Sequence, residues 1–172
     1  MDLLKMILGA NNGGNVRELA GKFGLEEPQA KSAVEQLLPS LTQGLKNEIG
    51  KPGGMDALLG ALQKGNHQRY LDDPTELDRA ETTTDGNGIL GHLFGSKEVS
   101  RNVAARASAQ SGIDGGILKK MLPLVATMAM GSMSKQTQGG KTRDMGLLGS
   151  LLDSDGDGSV ADDLMNMAKK FF

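Results

Sequence analysis

From residue 29 to residue 49 apolar side chains return at steps of three and four, at Ala30, Ala33, Val34, Leu37, Leu38, Leu41, Leu45 and Ile49, while Lys31, Glu35, Lys46 and Glu48 fall elsewhere on the wheel. That period belongs to an α-helix with one buried face. Pro28 suits its first turn and Gly50 its end. Pro39 falls inside, removes one backbone donor and crowds the carbonyl four residues earlier, so a kink is expected there. A second long segment runs from about Gly116 to Met133 through Ile117, Leu118, Met121, Leu122, Val125 and Met128, with Pro123 inside it. It is apolar on nearly every face, which predicts a buried central helix.

The two segments share an order. Gly24-Leu25 leads to Leu37-Leu38-Pro39, and Gly112-Ile113 leads to Met121-Leu122-Pro123. Each is preceded by a predicted helix (residues 15–23 and 96–111) and, before that, by a short apolar stretch (residues 3–8 and 89–94). Such an order fits an internal duplication with halves 1–50 and 88–134, and it equally fits the pattern that small helical hairpins share. Residues 57–62, 89–93 and 146–151 read as two-turn apolar helices. Each carries a mid-helix glycine that would admit a neighbouring helix, at about 1 kcal/mol in helix propensity. Residues 64–88 are polar, hold Asp72-Asp73-Pro74 and Thr82-Thr83-Thr84-Asp85-Gly86, and read as a connector with one short helix starting near Pro74. The expectation is an all-α fold, a compact multi-helix array with two long Pro-kinked amphipathic helices. A helical domain over residues 1–140 precedes an acidic loop and helix over residues 141–172.

Composition narrows the function classes. With no cysteine and no tryptophan, one tyrosine, four phenylalanines and ten methionines, the core must be aliphatic and methionine-rich. The absence of cysteine excludes a disulfide framework and thiolate metal sites and fits a reducing compartment. A net charge of −2 and few aromatics disfavour nucleic acid as a partner. Asp2 and Lys5 break the pattern of a secretory signal in the first residues. Residues 121–133 fall short of the ~20 apolar residues that a membrane helix needs, so membrane association is disfavoured and a cytoplasmic protein is expected.

The passage His67-Gln68-Arg69-Tyr70-Leu71-Asp72-Asp73, followed by Gly88-Ile89-Leu90-Gly91-His92-Leu93-Phe94-Gly95, resembles the bacterial family catalogued as domain of unknown function 937. The Gly112-Ile113 and Leu122-Pro123 elements and the run from Asp153 to Val160 are similar to it as well. The resemblance covers most of the chain and implies a helical bacterial protein. It brings no catalytic or binding residues with it.

The strongest candidate chemistry lies in the acidic tail. With Asp153 as position 1 of a calcium-type loop, Asp155 falls at position 3, Asp157 at 5, Gly158 at the sharp turn and Ser159 at 7. Hard oxygen ligands at alternate positions of a tight turn suit calcium or another hard divalent ion. Position 12 is Leu164 where a standard loop has a bidentate Glu, so Asp162 or Asp163 would have to complete the shell. Such a loop binds weakly, on the order of 10⁻⁴ M or worse. A plainer reading covers half of it: Ser159 as a helix N-cap, with Asp162 and Asp163 in the first turn, complements the helix dipole without any metal. Asp153, Asp155 and Asp157 are left for the ion, since three converging carboxylates repel unless screened.

The other candidates are thinner. His67 and His92 are the two histidines, and Asp72-Asp73 lie near the first, which sketches a hydrolytic or metal site. The bland alternative has His92 half-buried on an apolar helix and His67 in a solvated connector. Gly149-Ser150-Leu151 lacks the flanking glycine of a nucleophile elbow, and no phosphate-cradling motif occurs. Val160, Leu164, Met167, Ala168 and Phe171 form one stripe of a C-terminal helix, for docking on the core or, more sharply, on a partner or a membrane surface. The function expected is a non-enzymatic interaction or structural protein with an unidentified protein partner and a weak cation loop. A hydrolase using His92 or His67, and an envelope-associated protein held by its C-terminal helix, are the alternatives.

Overall fold

The computed structural model describes residues 3–65 and 67–138, and the account below concerns those residues. Helix α1 (Leu3–Gly9) buries Leu3, Met6 and Ile7, the three-and-four spacing of a single face. A 3₁₀ turn over Ala10–Gly13 breaks the chain direction: Asn11 and Asn12 both take left-handed backbone angles, φ 54° and 56°. Asparagine visits that region more readily than other side chains do. Helix α2 (Gly14–Phe23) ends on Gly24 at φ 66°, and the Leu25 N–H bonds back to the Ala20 carbonyl at 2.8 Å, a Schellman-type stop.

Helix α3 (Glu27–Ile49) begins with a reciprocal capping box between Glu26 and Gln29 and has Pro28 in its first turn. It runs unbroken past Pro39, which lies on its exposed side, and buries the apolar stripe read from the sequence. Helix α4 (Gly54–Lys64), the single turn α5 (Arg69–Asp72) and a 3₁₀ segment (Pro74–Asp78) lead to α6 (Ala80–Phe94) and α7 (Lys97–Ser111), the latter capped by Ser96. Helix α8 (Gly115–Gln136) starts at Asp114, whose carboxylate accepts the Ile117 N–H at 3.2 Å.

Every residue of α8 from Met121 to Ser134 is buried. It packs against α1, α3, α4, α5, α6 and α7, so it is the axis of the array. Its polar side chains close on their own helix: Thr127 donates to the Leu124 carbonyl at 2.7 Å and Ser132 to the Met128 carbonyl at 3.0 Å. Hydroxyls are thereby carried through the centre without unmet hydrogen bonds. Among the described residues all regular structure is helical, and the fold is all-α.

Two local expectations change. Residues 80–88, read as connector, form the first half of α6. They carry almost no apolar side chain, so periodicity gave no signal; the helix forms because Thr82 and Gly86 pack inward, Thr82 donating to the Glu76 carbonyl at 2.5 Å. The glycines expected to admit close helix contacts, Gly60 and Gly91, face open space. Close approach occurs at Gly86, where a Cβ would overlap the Pro123 carbonyl, and at Gly131, where it would stand 2.7 Å from the His67 carbonyl oxygen. The third glycine theme, residues 146–151, lies outside the described residues.

Candidate functional site

The chemistry-bearing side chains of the former connector gather where α5 meets α6. The single turn α5 brings Arg69 and Tyr70 beside Asp85 of α6. The Tyr70 hydroxyl donates to the Asp85 carboxylate and accepts from Arg69 Nη2 at 2.6 Å, with the guanidinium 4.7 Å over the phenol ring. Arg69 also pairs with Asp85 at 3.4 Å and Glu76 at 4.0 Å, and Glu76 pairs with Arg79 at 3.4 Å. Burial raises the Tyr70 phenol above its ordinary range, reinforced by the bond to Asp85, while the bond that Arg69 donates to the Tyr70 hydroxyl raises the Arg69 guanidinium. A phenol made harder to ionise and a carboxylate already accepting hydrogen bonds are poorly suited to proton transfer. The cluster acts as a clasp holding α5 to α6.

Asp72 and Asp73 are also engaged structurally. Asp72 pairs with Lys135 at 2.7 Å, tying α5 to the last turn of α8, and Asp73 caps the 3₁₀ segment by accepting from the Thr75 N–H at 3.0 Å. Glu18 shares a hydrogen bond with Asp78, which raises the Glu18 carboxyl. The histidines occupy separate surroundings. His92 is exposed in the last turn of α6, not half-buried. His67 leaves the solvent expected of a connector: its ring is half-buried against Gly65 and tilted toward Tyr70, with 6.2 Å between ring centres, and its buried Nδ1 has no hydrogen-bond partner. Burial lowers its pKa, against the opposing effect of the Ala61 backbone.

A second polar node has no counterpart in the sequence reading. Asn15 is fully buried and donates to the Leu71 carbonyl at 3.1 Å and the Tyr70 carbonyl at 3.3 Å. Asn11, held in its left-handed conformation, donates to Asn15 Oδ1 and to the Leu71 carbonyl, both at 2.9 Å. The Asn11-Asn12-Gly13-Gly14 run was the available signal, because Asn and Gly pairs favour positive φ.

The surface offers an opening of about 670 Å³ between α3, the end of α6 and α7. Leu93, Phe94, Val99 and Val103 supply its apolar wall, Ser40, Gln43, Asn47 and Asn102 its polar rim, and Arg106 is its one ionisable side chain. Val99, 38% exposed, is the exposed large hydrophobic residue of the described body. The cleft exists because Gly44 of α3 lets Leu93 and Phe94 come close: a Cβ there would stand 3.2 Å from each. Among the described residues no three His, Asp or Glu side chains stand together as a metal site, and no helix is long and apolar enough to cross a membrane. Asp153, Asp155, Asp157, Ser159, Asp162 and Asp163, the expected ion ligands, lie outside the described residues.

No curated protein and no solved structure matches the chain. A family model described as bacterial protein of unknown function, DUF937, matches residues 5–136, nearly the whole described body, and the chain belongs to that family.

Proposed function

We propose that this is a non-enzymatic helical interaction protein that receives an amphipathic segment of a partner protein in the cleft between α3, α6 and α7. The observation that carries the reading is the chemistry of the cleft wall. Four apolar side chains face an amide-rich rim with a single cation, and no carboxylate, imidazole or phenol lines the space. Such a wall can anchor apolar side chains at i, i+3/4 and i+7 of a bound helix but lacks an acid–base pair. A peptide-display selection against the folded protein tests it. Sequences with that apolar spacing should be enriched on the wild type and lost on Val99→Glu; no enrichment, or enrichment indifferent to Val99→Glu, contradicts the reading.

The proposal extends to a weak divalent-cation loop at Asp153, Asp155 and Asp157, with Ser159, Asp162 and Asp163 completing or capping it, in a protein of the bacterial cytoplasm. Calorimetric titration of calcium and magnesium into the wild type and the Asp155→Asn, Asp157→Asn variant checks the ion. Heat from the wild type alone is expected, and no heat from either at millimolar ion removes this part.

A hydrolase is the second reading, favoured by the unpartnered Nδ1 of His67 beside Tyr70. A broad substrate screen decides between them. Turnover abolished by His67→Ala or by His92→Ala supports the hydrolase.

A further inference from the structure

The cleft between α3, α6 and α7 has two helical walls of matching length. Ser40, Gln43, Gly44 and Asn47 line it from α3, and Val99, Asn102, Val103 and Arg106 line it from α7. Both sets follow the spacing i, i+3, i+4, i+7, a single stripe along two turns, or roughly 10 Å. Arg106 ends the stripe of α7. It is exposed, and among the described residues its guanidinium has no ion pair or hydrogen bond. No carboxylate lines the cleft. Glu48, on the same half of α3, is bonded to Lys51 at 2.5 Å. Glu98 of α7 lies two turns before Arg106, about 12 Å along the helix axis and out of pairing range.

Granting the reading of this cleft given above, we infer that the segment it receives is acidic: it carries an Asp or Glu on the border of its apolar stripe, at the end that lies over Arg106. A helix seated between the walls takes water from the Arg106 guanidinium. The amides of Gln43 and Asn102 supply no counter-charge, and a desolvated cation left unpaired costs free energy. A carboxylate meets the guanidinium with two parallel N–H···O bonds. Since the protein places no such group in the cleft, the occupant supplies it. A lysine at that point of the segment is repelled, so Arg106 selects which segment binds, while the apolar wall of Leu93, Phe94, Val99 and Val103 holds it.

The test is peptide display on the folded full chain as wild type, Arg106→Glu and Lys22→Glu. Lys22, at the exposed end of α2 and outside the cleft, gives the same change in net charge, and both variants should keep the wild-type thermal transition. Sequences enriched on the wild type and on Lys22→Glu should hold Asp or Glu beside the apolar stripe. Those enriched on Arg106→Glu should keep the apolar spacing and hold Lys or Arg there. Two synthetic peptides of the wild-type consensus, differing only in Glu or Lys at that point, should differ at least about fivefold in Kd on the wild type and in the reverse order on Arg106→Glu, the difference shrinking as salt is raised. Apolar spacing enriched without an acidic preference, or the same preference on Arg106→Glu, overturns the inference and leaves the cleft reading standing. No enrichment on any of the three proteins overturns both. Self-association of the wild type that Arg106→Glu abolishes would make a second copy of the chain the occupant and overturn the inference as well.

Discussion

Asn15 is the residue on which the polar interior turns. Two carbonyls of the short turn α5 accept from its amide, one of them also from Asn11. Asn15→Leu should destabilise the protein by about 2 kcal/mol, since buried carbonyls left unpaired cost 1–3 kcal/mol; urea unfolding measures it. His67 gives a pH signature. Its folded-state pKa lies below the ordinary imidazole value of about 6.5. The unfolded chain therefore binds the proton more readily, and stability should be flat above pH 6.5 and fall as pH drops from there through the folded-state value. His67→Gln should flatten this part of the profile in pH-dependent thermal melts. Neither residue was legible in this role from the sequence. A lone histidine in a polar stretch and an Asn near a turn carry no mark of which carbonyls or glycines the fold will bring beside them.

At the scale of elements, α3 and α8 were legible because their burial is written as period or as continuous apolarity. Their prolines did not interrupt them. Helix α6 was half legible: residues 89–94 have apolar period, whereas residues 80–88 become helical through Gly86, packed on α8, and Thr82, bonded to the 3₁₀ segment. The contrast between its glycines can be measured. Gly86→Ala forces a Cβ onto the backbone of α8 and should cost about 1–3 kcal/mol, the range for overpacking. Gly91→Ala meets open space in the same helix and should stabilise by about 0.5–1 kcal/mol. Equal effects in denaturant melts would mean that α6 does not pack on α8 through Gly86.

At the scale of the molecule, α1, α3, α4, α5, α6 and α7 pack on α8, and α2, which packs on α1 and α3, reaches it through Asn15 and Met128. Residues 3–138 should thus unfold in one cooperative urea transition, seen alike by circular dichroism and by Tyr70 fluorescence. Two separated transitions would instead suit independent halves and favour the duplication reading, with each half carrying its own three-helix order. The aliphatic and methionine core followed from composition, but the cleft did not. Its walls come from residues about 50 apart in sequence, and its depth is set by Gly44, a glycine that looks like any other in the chain. The central claim is that this cleft binds and does not catalyse. Calorimetric titration of a display-selected amphipathic peptide into the wild type and into Val99→Glu tests it most directly. The account predicts saturable binding by the wild type, weakened at least about tenfold by Val99→Glu, or 1.4 kcal/mol, and equal affinity for both proteins would contradict it.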